Sequence, residues 1–157
     1  MPKYGYLVVE GPHDVEFAYR ILSSFGIKRV QKEDALDDYF AALIPRTFPH
    51  RGDLQKRVPV PLFAQSDTHA IAIHSAIGDS RLVETLEENG KIIDFDDLTG
   101  VGIILDSDQA VPARERYEAI KTAMSKFGYQ LPDDPGDVDG SPKLGAFVLP
   151  DLSLIHI

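Results

Sequence analysis

The sequence predicts an α/β fold with a mainly parallel central sheet of about four strands and helices on both faces. Two observations predict it. Four short apolar runs, at residues 4–9, 70–77, 101–105 and 144–149, carry the β-branched composition of buried strands. Between them lie segments whose apolar residues recur at helical spacing. Strands alternating with amphipathic helices build a parallel sheet that both faces must cover.

The elements follow in order. Tyr4–Val9 (YGYLVV) is an apolar run that stops at Glu10-Gly11-Pro12, a strand entering a turn. From His13 to Phe25, the residues Val15, Phe17, Ala18, Ile21, Leu22 and Phe25 keep helical spacing, and Gly26 closes the segment. Residues 26–30 suit a short second strand. Residues 33–43 suit a helix with Leu36, Tyr39, Phe40 and Leu43 on one face. Residues 45–66 hold Pro45, Pro49, Pro59 and Pro61 and read as irregular, with one short strand near 58–63. The second clear strand ends at Gly78-Asp79-Ser80. A helix over 81–89 follows, with Leu82, Val83 and Leu86 inward, a cap at Asp79 or Ser80 and a stop at Gly90. Asp94, Asp96 and Asp97 fall in a loop or short helix. The third strand, VGIIL, ends at Asp106-Ser107-Asp108. Pro112 then stands where a first helical turn tolerates proline, and Tyr117, Ile120, Ala123, Met124 and Phe127 share one side. Residues 131–143 form a polar loop before the fourth strand.

The 157 residues suit one domain, expected over 1–150 with an insertion at about 31–66. The tail at 152–157 (LSLIHI) resembles translated sequencing-adapter read-through, and the native chain is expected to continue beyond Asp151. The absence of cysteine removes disulfides, thiolate zinc sites and a cysteine nucleophile. The N-terminus lacks the pattern of a signal peptide, and no apolar run nears the roughly 18 residues of a membrane span. A cytoplasmic protein without a membrane partner is expected. The formal net charge of -9 argues against a chain that grips nucleic acid alone, although Arg46, Arg51, Lys56 and Arg57 gather in one stretch.

The chemistry gathers at strand ends. Glu10 ends the first strand, and Asp106 and Asp108 end the third. Side chains alternate along extended backbone, so Asp106 and Asp108 can point one way and Ser107 another. Ligands of open α/β sheets bind beyond the carboxyl ends of the strands. If the two strands are neighbours, three carboxylates meet there and repel one another. A magnesium ion, which prefers hard oxygen ligands, relieves that repulsion. The bland alternatives are a helix-dipole partner for Glu10 and turn or cap roles for the two aspartates. His69 and His74, five apart on one strand, face opposite ways, so the histidines form no metal site. The stretch Asp137-Val138-Asp139-Gly140 fails as a calcium loop, because Pro135 and Ala146 hold ligand positions. No P-loop, nucleophile elbow or dinucleotide fingerprint is present.

Leu7-Val8-Val9-Glu10-Gly11-Pro12-His13-Asp14 before a helix, together with Gly102-Ile103-Ile104-Leu105-Asp106-Ser107-Asp108, resembles the Toprim domain. That domain occurs in topoisomerases, bacterial primases, old-type nucleases and recombination mediator proteins. The chain is most similar to small stand-alone Toprim-like proteins and to the Toprim part of old-type nucleases. The resemblance covers residues 4–25 and 70–150, and residues 31–66 have no counterpart. It implies that Glu10 is the general acid/base and that Asp106 and Asp108, with Glu10, hold Mg2+, or alternatively Mn2+. Asp14 matches a further acidic position one helical turn beyond the glutamate. Gly78 matches a turn glycine between the motifs, and Gly11 and His13 flank the site. In such relatives, further chain follows the fourth strand, often with an acidic position that is missing here. The implied function is a nuclease-like domain acting on nucleic acid, weak on its own. The rival is a regulatory metal- or nucleotide-binding domain that works with an ATPase or other protein partner.

Overall fold

The computed structural model describes residues 2–44, 61–76, 82–106, 112–140 and 142–149, without the side chains of Glu33 and Leu149. Asp108, Gly78, the basic residues Arg46, Arg51, Lys56 and Arg57, the caps proposed at Asp79 or Ser80, and the tail lie outside the described residues.

The chain runs β1 (Lys3–Val9), α1 (Pro12–Ser24), β2 (Lys28–Arg29), α2 (Asp38–Ala41), β3 (Leu62–Gln65), β4 (His69–Ser75), α3 (Leu82–Gly90), β5 (Gly100–Asp106), α4 (Ala113–Ser125) and β6 (Lys143–Leu149). The four strands predicted from apolar runs are all present. They form the parallel part of the sheet, in the order β4-β1-β5-β6. The sheet has six strands rather than about four. β3 pairs antiparallel with β4 and β2 antiparallel with β3, which extends one edge. Both added strands fall where short strands were expected, β2 within 26–30 and β3 overlapping the one near 58–63 but displaced past the prolines at 59 and 61. Tertiary pairing decides such segments more than local propensity does.

Alternation along the strands sorts the core into two layers. Tyr6 and Val8 face the layer that holds Leu82, Leu86, Tyr117 and Met124 of α3 and α4. Val9 and Ile73 face α1, where Ala18 is buried and Val15, Tyr19 and Leu22 pack beside it. Helices therefore cover both faces. Among the described residues, no helix is long and apolar enough to cross a membrane.

Two local expectations change. The segment 33–43 is not one helix: a 3-10 turn at Glu33–Ala35 precedes α2, because the Asp37 carboxylate accepts the Tyr39 N–H and restarts the helix. Leu36, Phe40 and Leu43 are buried as expected. Phe17 and Ile21 of α1 and Phe25 at its C-cap keep helical spacing but are exposed, Phe25 at 76%. The helix buries the neighbouring stripe through Ala18 instead. Gly26 ends it at φ +82°, a backbone region glycine enters without steric cost.

Candidate metal and phosphate site

The sheet order fixes where a site can form. From β1 the chain crosses by way of α1 to the β4 side. From β5 it crosses by way of α4 to β6 on the other side. The two connections leave on opposite faces, so the crevice of this sheet opens between β1 and β5 at their carboxyl ends. Val9 is level with Ile104 in the parallel register. Glu10 is therefore level with Leu105, and Asp106 follows one residue further along β5 at that crevice.

Strand alternation aims the two carboxylates differently. Glu10 continues the face of Tyr6 and Val8, toward α4. Asp106 shares the face of Gly102 and Ile104, toward α1. The contacts agree. The Glu10 carboxylate accepts the Asp106 backbone N–H at 3.2 Å and pairs with the Arg116 guanidinium of α4. Asp106 lies within hydrogen-bonding reach of Asp14 in the first turn of α1.

Asp14 is 7% exposed. Its carboxylate accepts the Gly11 N–H at 3.2 Å, so one side chain both caps α1 and enters the acidic cluster. Burial, then the charge and hydrogen bond of Asp106, push the Asp14 carboxyl up to about 6. The Gly11 N–H and nearby His13 pull the other way and do not offset them. His13 itself is exposed at the rim. Gly11 is extended (φ -147°), and a Cβ there would meet nothing within 4 Å. Among the described residues, neither backbone strain nor packing calls for glycine at this position.

The structure thus brings Glu10, Asp14 and Asp106 together, with Gly11 and His13 beside them. Asp108 and Gly78 lie outside the described residues. Among the described residues, no group of three or more His, Cys, Asp or Glu side chains is arranged to hold a metal ion. The donor chemistry nevertheless fits magnesium. The oxygens are hard, and Asp14 and Asp106 form a like-charged pair that a cation would relieve.

Arg116 is the residue that sequence reasoning missed. One signal pointed to it. A cation in the first turns of a helix opposes the helix dipole and calls for a compensating carboxylate. Arg114, in the same turn, has Asp134 and Glu118; Arg116 has Glu10. A second cluster was also missed. Asn89 of α3 donates to the Tyr6 hydroxyl, to the Thr85 carbonyl at 2.9 Å and toward His74 Nδ1 at 3.1 Å; Tyr6 and His74 are 3.1 Å apart. It lies under the α3 face of the sheet, away from the carboxylates. A groove of about 220 Å³ between α3 and α4, lined by Val83, Leu86, Met124 and Tyr129 among others, contains none of the predicted site residues.

No curated protein matches the chain. Among solved structures, a hypothetical protein from Pyrococcus horikoshii is similar over 91% of this chain, with a TM-score of 0.56 and 15% identity. The match covers 54% of that protein, so this chain spans about half its length. At that identity the likeness is one of fold. A protein of unknown function from Thermoplasma acidophilum shares 17% identity over 99% of this chain and 74% of its own, with a TM-score of 0.38. A family model matches residues 4–156, and the chain accordingly belongs to the family described as "protein of unknown function (DUF3226)".

Proposed function

We propose that the chain is a Toprim-like domain that cleaves phosphodiester bonds of nucleic acid with the help of magnesium, or manganese in its place. The observation that supports this most is the meeting of Glu10, Asp14 and Asp106 at the crevice between β1 and β5. The Asp14–Asp106 pair at that position, with Glu10 on the neighbouring strand end, suits a cation site. Asp106 and Asp108, with Glu10, would hold the ion, and Asp14 would support Asp106. A divalent ion bound there supplies charge stabilisation at the phosphate and a more acidic water. Glu10 would then take up or deliver the proton, as a general acid/base must from hydrogen-bonding range. The net charge of -9 makes weak nucleic-acid grip by this chain alone part of the proposal, with a partner supplying the rest. A cytoplasmic setting belongs to the same reading.

The test uses labelled single- and double-stranded DNA and RNA, with Mg2+ or Mn2+, for the wild type and the Asp106→Asn/Asp108→Asn double variant. Metal-dependent cleavage by the wild type and none by the variant is expected. Cleavage that survives in the variant, or persists in excess chelator, would contradict the reading.

A second reading has one observation in its favour. The Glu10 carboxylate is already engaged by Arg116, an arrangement that also suits a domain binding metal or nucleotide without cleavage, beside an ATPase partner. Metal binding by the wild type without cleavage of any of the four substrates would select it.

A further inference from the structure

The Arg116 guanidinium is enclosed with Glu10; their side chains are 11% and 16% exposed. Enclosing an arginine takes its charge from water, and its position in the first turns of α4 sets it against the helix dipole. Its presence is accounted for by what it faces. It meets the carboxylate that would join a cation site, which also accepts the Asp106 backbone N–H. Arginine's planar fork also matches the oxygens of a phosphate.

We propose that Arg116 is the anion-binding residue of this site, held on Glu10 in the metal-free protein and passed to a phosphate group of the ligand when a divalent cation takes Glu10. The inference rests on the metal-site reading above and adds an order to it. Cation and phosphate then bind with positive coupling, and each raises the other's affinity by the same factor. Arg116 serves as the internal counter-ion of the empty site and as a ligand contact in the filled one.

Calorimetric titrations with Mg2+ alone, inorganic phosphate alone, and phosphate on protein saturated with Mg2+ test this for the wild type, Arg116→Gln and Arg116→Lys. The wild type should bind phosphate about tenfold or more tightly once Mg2+ is present, within the usual range of coupling between two ligands. R116Q should bind Mg2+ at least as tightly as the wild type, since the competing cation is gone, and should lose most of the phosphate enhancement. R116K keeps the charge but not the fork and should fall between the two. It carries the test if R116Q fails to melt as a folded protein. Equal phosphate affinity with and without Mg2+ in the wild type would overturn the inference while leaving the metal reading intact. So would weaker Mg2+ binding in R116Q, or unchanged coupling in R116K and R116Q. A wild type that binds no Mg2+ would overturn both.

Discussion

Asp14 shows how one residue serves the fold and the site in conflict. As a cap it satisfies the Gly11 N–H; buried and beside Asp106, it is costly to charge. Its folded pKa of about 6 lies above the unfolded value of 3.8, so the folded state holds its proton longer. That contribution favours the fold at acid pH and is lost as pH rises from about 4 through about 6. Asp14→Asn keeps an oxygen for Gly11 and removes the charge. In chelator, it should raise stability at pH 7.5 by about 1 kcal/mol after allowance for solvent screening, with the gain gone at pH 4. Thermal melts across that range check it; a variant less stable at every pH would reduce Asp14 to a cap. His74 has the opposite sign. Burial lowers its pKa, and its Nδ1 faces the Asn89 amide and the Tyr6 hydroxyl. Protonation below about pH 6.5 therefore costs the folded state. His74→Gln should flatten the loss of stability between pH 7.5 and 5.5 relative to the wild type, and an unchanged slope would show that the ring does not titrate there. Glu10 and Asp106 were legible in the sequence because each interrupts an apolar run. The burial of Asp14, and the Glu10–Arg116 and Tyr6–His74 contacts, were not legible. They join residues whose nearness depends on strand order and helix rotation, which local spacing does not encode.

At the scale of elements, close approach sets the tolerance to change. A Cβ on Gly145 of β6 would lie 2.6 Å from Val138 Cγ1 and 2.7 Å from the Asp137 carbonyl oxygen. The loop it would push is fastened to α4 by Lys121–Asp133 and Arg114–Asp134 at 2.7 and 3.0 Å, and by the Tyr117 hydroxyl on the Pro132 carbonyl. Backbone so held cannot yield cheaply. Gly145→Ala should cost about 1–3 kcal/mol, in the range of overpacked cores. Gly102→Ala meets only the flexible end of Leu7, also at 2.6 Å, and should cost less. Denaturant unfolding of the two variants compares them directly; the reverse ranking would contradict this account of the loop. The polar loop and the four parallel strands could be read from composition and runs. The break before α2 and the outward turn of Phe17, Ile21 and Phe25 could not. The first depends on a single capping carboxylate. The second depends on which of two adjacent apolar stripes the sheet covers.

For the whole molecule, the strand order carries the argument from fold to function. The β4-β1-β5-β6 arrangement puts the first and third predicted strands side by side and sends their following helices to opposite faces. That places Glu10 and Asp106 at the one crevice of the parallel region, where the sequence motifs alone left their meeting conditional. The most direct measurement is a calorimetric titration of Mg2+ into the chelator-treated wild type at pH 7.5, beside the Asp106→Asn/Asp108→Asn double variant. The account predicts saturable binding by the wild type that is lost in the variant. No binding by the wild type, or equal binding by both proteins, would contradict it and return these aspartates to turns and caps.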